Sequence, residues 1–489
     1  MKRYYILLLG LCMMSSIQAQ DNDPRKAFDR FAQRSKQKFD DFRSRANEQY
    51  AEAMKRAWER FNAQPAVPRP KDETVPPVVL PEEDRDKPIE TRPVPIKDVV
   101  TPPAPAPQPE PVSPVEERPQ PKDQTVGFVY CGTKLEVRMN ASSRPRLSSC
   151  DNDALAAAWS RLAKDDALNN TLRDCLDLRQ ELQLCDWAYL NMIHALAQKA
   201  FGESNEATLL TAYLYCQSGY QMRLARNSER VVLLFASNHA IYNSGYYRLE
   251  NTNFYPFGGE EPLLEICDAK FPKEQPMSLL IPRAQQLAQQ PSTPRTQTSK
   301  RYADISVTTS VNKNMIDFYD SYPTSEVNDN FMTRWAMYGN TPLDDRVKAE
   351  LYPALRAKIA GGGELEAANK LLNWVQTAFE YEYDEVVWGH DRAFFAEETL
   401  YYPYCDCEDR AILLTRLVRD LLGLECVLIY YPGHMACAVH FSEPVDGDYY
   451  TYGGKDFTVC DPTYIGAPIG RQMPDFADKE ATLIPIKTK

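Results

Sequence analysis

Beyond its first twenty residues the chain has no stretch approaching the roughly 20 consecutive apolar residues that a membrane-spanning helix needs, so a soluble mature protein is expected. It also lacks an excess of positive charge. With 56 Lys and Arg against 68 Asp and Glu the net charge is -12, and no basic cluster stands out. That argues against a nucleic-acid partner, whose phosphates demand clustered Lys and Arg. Paired CxxC units are missing and the histidines do not stand at ligand spacing, so neither a metal site nor a cofactor is expected.

The sequence contains instead the marks of export. Lys2 and Arg3 precede an apolar run from Tyr4 to Met14, and a small-residue site follows around Ile17 to Ala19, the pattern of a secretory signal peptide covering residues 1–19. An exported chain, in the periplasm or at the surface of a bacterium, is the expectation. Of 12 cysteines, Cys12 falls in this segment and eleven remain. In an oxidising compartment most have the option of pairing, with an odd one left over, and the alternative is that they pack as small buried hydrophobes.

A chain of 489 residues with 43% hydrophobic content predicts more than one domain. In residues 20–64, Phe28, Phe39, Tyr50 and Phe61 recur every eleven residues, with Phe31 and Phe42 alongside. That period, close to 3.67 residues per turn, predicts one long amphipathic helix. The stripe suits packing on its own protein or self-association, and a second use is contact with an envelope or membrane surface. Residues 65–124 carry 18 of the 37 prolines between Pro65 and Pro121, which predicts an extended, mobile linker. Two segments, 125–295 and 296–489, mix helical and strand patterns, and each reads as α+β.

Chemistry concentrates in "YCDCEDRAILLTRLVRDLLGLECVLIYYPGH". Ala411, Leu414, Val418 and Leu421 predict a helix beginning near Cys407 and stopping at Gly423. Cys407 then sits at a helix N-terminus, where free N–H groups and the dipole favour a thiolate and a developing oxyanion. Glu408 and Asp409 would raise the thiol's pKa if they pointed at it, so the chemistry needs them to face elsewhere. Strands are expected at "CVLIYY", at "HMACAVHF" beginning with His434, and at "FTVCDPTY" ending at Asp461. Thiol, imidazole and carboxylate in that order form a cysteine-nucleophile triad if the fold unites them.

At these residues the chain resembles the transglutaminase-like superfamily. Cys407-Glu408-Asp409-Arg410-Ala411 matches the second part of that family's cysteine motif, His434 opens a strand as the family's histidine does, and Asp461-Pro462-Thr463 matches its Asp-Pro-Thr. "LLNWVQTAFEYEYD" looks like the helix preceding the nucleophile in such cores, so the resemblance spans roughly residues 365 to 470. It implies a papain-like α+β core, with the nucleophile's helix packed on an antiparallel sheet. It further implies acyl transfer from a peptide or protein substrate by Cys407, His434 and Asp461, as hydrolysis or as transfer to an amine. Cys405 stands where the family has glycine, His440 is the rival base, and Trp374 and Trp388 are candidates to line the site. A catalytically inactive binding protein of the envelope is the competing class.

Two further expectations concern architecture. "NEATLLTAYLYCQSGYQMRL" can be laid on the nucleophile's helix with Ala207 on Ala411 and Glu203 at the Cys407 position, which suggests a degenerate copy of the core in residues 125–295. His434 and Asp461 meet only if the chain reverses an odd number of times between them. The reversal is expected at Glu443 to Asp448, with Gly453-Gly454 as a bulge.

Overall fold

The computed structural model describes residues 24–71, 75–85, 87–118, 121–477 and 479–487; the signal peptide expected over 1–19 lies outside them. The fold is mixed α+β. Helix α1 (Pro24–Met54) ends at Met54, short of the residue 64 expected. Trp58 donates its indole N–H to the Met54 carbonyl at 2.9 Å, and β1 (Glu59–Asn62) then takes four antiparallel partners, so Phe61 belongs to a sheet instead of the helical stripe. The stripe itself divides. Phe28 and Phe31 are 70% and 67% exposed, whereas Tyr50 is buried against Trp159 with ring centroids 4.7 Å apart. Arg43 pairs with Asp166 at 2.9 Å and Asn47 bonds Gln217, which anchors the second half of the helix to the globular body.

The proline-rich segment is extended but not a free spacer, because its main-chain groups are used. β2 (Val78–Val79), β3 (Arg92–Pro93) and β4 (Ile96–Val99) each pair with a strand of the C-terminal unit. Proline lacks an N–H and sits at sheet edges without cost, and all three short strands are edge additions.

In the first unit, α2 (Asn205–Gln217) leads to β5 (Met222–Arg226) and β6 (Val231–Ser237), followed by β7 (Tyr247–Leu249), β8 (Thr252–Pro256) and β9 (Leu263–Ile266). Their sheet runs β1-β9-β5-β6-β8-β7. In the second unit come α3 (Glu364–Ala378), α4 (Cys407–Leu422), β10 (Glu425–Tyr431), β11 (His434–His440), β12 (Asp448–Tyr452), β13 (Lys455–Cys460), β14 (Tyr464–Ile465) and β15 (Ala481–Pro485). This seven-stranded sheet runs β3-β12-β13-β11-β10-β15-β4, so the proline-rich segment supplies both of its edges. Helix, strand, antiparallel strand is the order in both units, α2-β5-β6 and α4-β10-β11.

The units share their largest core, and each sheet also has a smaller apolar cluster of its own. Trp159, Tyr189 and Leu210 of the first belong to one apolar cluster with Trp335, Leu371 and Leu413 of the second. No disulfide ties any of it together among the described residues: all eleven cysteines there are free, Cys131 and Cys150 half-buried and the rest buried. Pairing as a framework is therefore not what holds this fold. The cysteines pack as small apolar groups. Likewise no described helix is long and apolar enough to cross a membrane.

A candidate Cys-His-Asp site

Helix α4 is enclosed on every side, with all residues from Cys407 to Arg419 buried. Asp409 fixes its start, accepting the N–H of Asp406 at 3.3 Å and of Phe394 at 2.8 Å. Gly423 ends it in the left-handed region, φ 74°, which favours glycine. Cys407 thus occupies the first turn.

His434 and Asp461 meet, by a route different from the one expected. Gly453 and Gly454, at φ 60° and 77°, form the two-residue turn of a tight hairpin joining β12 to β13. Both residues have the positive φ that type I′ turns require. The connection 441–447 is not a reversal: it crosses β13 and starts β12 parallel to β11, since both strands pair antiparallel with β13. The number of reversals is still one. Cys437 lies opposite Cys460, so Asp461 emerges beside the start of β11.

There His434 Nε2 is 2.9 Å from Asp461 Oδ2, both residues buried. The other oxygen, Oδ1, accepts the N–H of Thr463 at 2.8 Å and of Tyr464 at 3.2 Å, so the carboxylate is fixed at both ends. The imidazole stacks on Phe476, ring centroids 4.8 Å apart. Its Nδ1 has no hydrogen-bond partner, so the Cys407 thiol, which bonds Glu408 Oε2, is not joined to the imidazole as the expected triad requires.

Cys407 is 2% exposed. The Met435 N–H, next in the chain after His434, favours its thiolate. Burial outweighs this, and Glu408 and Asp406 add to it, so the thiol's pKa is pushed well above its ordinary value. The expectation that the acidic neighbours face away is not met for Glu408: Cys407 Sγ lies 3.1 Å from Glu408 Oε2. The carboxyl points inward because it belongs to a buried group with Asp384, Asp391, Asp406 and Asp409, beside Arg334, whose guanidinium pairs with Asp391. Burial raises Glu408, Asp406 and Asp409 too, and pushes Asp384 up to about 8. Asp384, Asp406 and Asp409 bring one oxygen each within 4.8 Å of one another, as do Asp384, Asp391 and Glu408. These residues could face a cation; the raised carboxyls give the other solution, shared protons.

Two residues not singled out by sequence reasoning hold the site together, and a third, Tyr381, borders it. Gln376 of α3, 2% exposed, donates from Nε2 towards the carbonyls of Asp461 (3.1 Å), Tyr464 (2.8 Å) and Ala467 (3.0 Å), and its Oε1 accepts the Gly466 N–H at 3.1 Å. Arg410 donates to the carbonyls of Gln376 (3.2 Å), Phe379 (2.8 Å) and Pro462 (3.4 Å). Tyr381 lies near enough for the Cys407, Asp406 and Glu408 charges to raise its phenol, after burial. A lone Gln on the apolar face of "LLNWVQTAF" was the available signal for the first. Cys405 is separate, its thiol beside the Arg410 Nε at 3.5 Å and pushed up by burial to about 11. His440 lies at the far end of β11, bonding the Asp456 carbonyl at 2.9 Å. Trp374 is core, its indole donating to Gln297, and Trp388 sits against Arg392.

Comparison of the chain with family models, with curated proteins and with solved structures finds no match.

Proposed function

We propose that this chain is an exported cysteine hydrolase with a transglutaminase-like, papain-like core, acting on amide bonds of a peptide or protein. The observation that carries the reading is the buried His434 Nε2 to Asp461 Oδ2 contact of 2.9 Å beside a helix that opens with Cys407. The thiol turns from Glu408 Oε2 to His434 Nδ1, which takes its proton, with Asp461 holding the tautomer that leaves this nitrogen free. The sulfur adds to the carbonyl carbon, the C–S bond forms, and the C–N bond breaks as the imidazolium returns its proton to the leaving amine. Free N–H groups at the start of α4 stabilise the oxyanion. Water, deprotonated by Nδ1, then releases the acid and restores the thiol; an amine in its place yields a new amide.

The second reading is a non-catalytic envelope binding protein. It is favoured by the buried thiol facing Glu408, a thiol whose pKa burial pushes well above its ordinary value. Alkylation of the native chain by a thiol-directed probe, mapped by mass spectrometry and compared with Cys407→Ala, tests the hydrolase. Labelling at Cys407 that disappears in His434→Ala supports it, and an inert Cys407 in every conformation of the folded chain excludes it.

A further inference from the structure

Residues 75–80 lie along the candidate site and are bound by the same loops that carry its residues. The Val75 N–H donates to the Gly433 carbonyl at 2.9 Å, directly before His434, and Tyr381, which pairs in a short parallel strand with Cys405 two residues before Cys407, donates from Oη to the Val75 carbonyl at 3.2 Å. Val78 and Val79 pair parallel with Tyr464 and Ile465, and Leu80 N donates to the Ile465 carbonyl at 2.9 Å, just beyond Asp461. Leu80 is 2% exposed and belongs to the buried apolar cluster that contains Tyr431, Tyr464 and Phe476, the last being the ring stacked on His434.

Val75-Pro76-Pro77 is held extended before it binds, because proline disfavours the helical region for its predecessor. Main-chain bonds supply attachment and one buried side chain supplies selectivity, the way an extended peptide adds to a strand. Resting on the hydrolase reading above, we infer that this groove is the substrate groove of the site. It takes an extended, uncharged apolar peptide by parallel pairing with β14, and residues 75–80 fill it as an internal pseudo-ligand that keeps Cys407 closed off. Displacing them admits water and peptide to a thiol now 2% exposed. The pairing of β3 and β4 at the sheet edges lets residues 75–80 leave while the rest of the segment stays docked.

The test uses the full-length chain and two variants that attack different anchors: Leu80→Asp, which spoils the apolar cluster, and Val75→Pro, which removes the N–H donated to Gly433. Iodoacetamide alkylation of Cys407 is expected to run about tenfold faster in each than in wild type, the effect of weakening one local closure. The blocked peptide acetyl-VPPVVLP-amide is expected to slow it again and to protect residues 433–435 and 464–466 from hydrogen exchange in the Leu80→Asp chain. Unchanged alkylation together with no protection by the peptide overturns the inference. Protection by the peptide with Cys407 still inert upholds the groove and removes the hydrolase reading instead.

Discussion

Gln376→Leu is the substitution whose cost the structure specifies best. The side chain keeps its size but loses two N–H groups aimed at three carbonyls, of Asp461, Tyr464 and Ala467, and an oxygen that accepts from Gly466. Two hydrogens cannot fully serve three acceptors, so the loss amounts to about three hydrogen bonds at about 1 kcal/mol each. Leaving the Gly466 donor without its partner pushes the figure upward, to on the order of 3–4 kcal/mol. Asn369→Ala in the same helix removes one acceptor, of the Ile469 N–H at 2.9 Å, and one exposed donor to the Leu365 carbonyl at 3.0 Å, and is expected to cost about 1 kcal/mol. Urea denaturation followed by tryptophan fluorescence measures both. The Leu variant should also lose hydrogen-exchange protection across residues 461–467 ahead of the rest of the sheet. If the two variants lose the same stability, Gln376 is not what fixes the loop that carries Asp461.

Asp461→Asn keeps an oxygen for the Thr463 and Tyr464 amides but turns an N–H₂ towards His434 Nε2, which forces the ring proton onto Nδ1. Turnover of an amide substrate accepted by the wild type should fall about 10³–10⁴-fold with an unchanged circular dichroism spectrum. Glu408→Gln removes a negative charge 3.1 Å from the thiol, so the pH profile of Cys407 alkylation should move to lower pH; an unmoved profile would mean that Glu408 is already neutral there. Burial makes Asp384 hold its proton in the folded chain up to about 8, against an ordinary value of 3.8. Folding stability is therefore greatest at the acid end of that window and falls as pH rises through it, by on the order of a few kcal/mol. Thermal melts should show Tm falling from pH 5 to pH 8, and Asp384→Asn should flatten the slope.

Local chemistry was legible in the sequence because it is written in short range. The start of α4 at Cys407, its stop at Gly423 and the strands opening at His434 and closing before Asp461 all follow from helical spacing, one glycine and apolar runs between turns. The assignment of the reversal to residues 443–448 failed because composition cannot tell a hairpin from a crossover. Gly453-Gly454 turns the chain, and only pairing with β13 reveals that β12 runs parallel to β11. The proline tract was misread for a related reason. Its composition forbids a core of its own, yet its edge pairing is provided by strands about 360 to 390 residues downstream.

By itself, then, the sequence determined which residues meet the terms of a Cys-His-Asp site, since residue identity and local spacing carry that information. The tertiary structure decided that His434 and Asp461 are in contact, that Glu408 turns towards the thiol, and that the proline-rich segment bonds to Gly433 and Ile465 in the loops that carry the first two. Those outcomes rest on strand pairing and on the sharing of buried charge between distant segments, and neither leaves a mark on any one stretch of the chain.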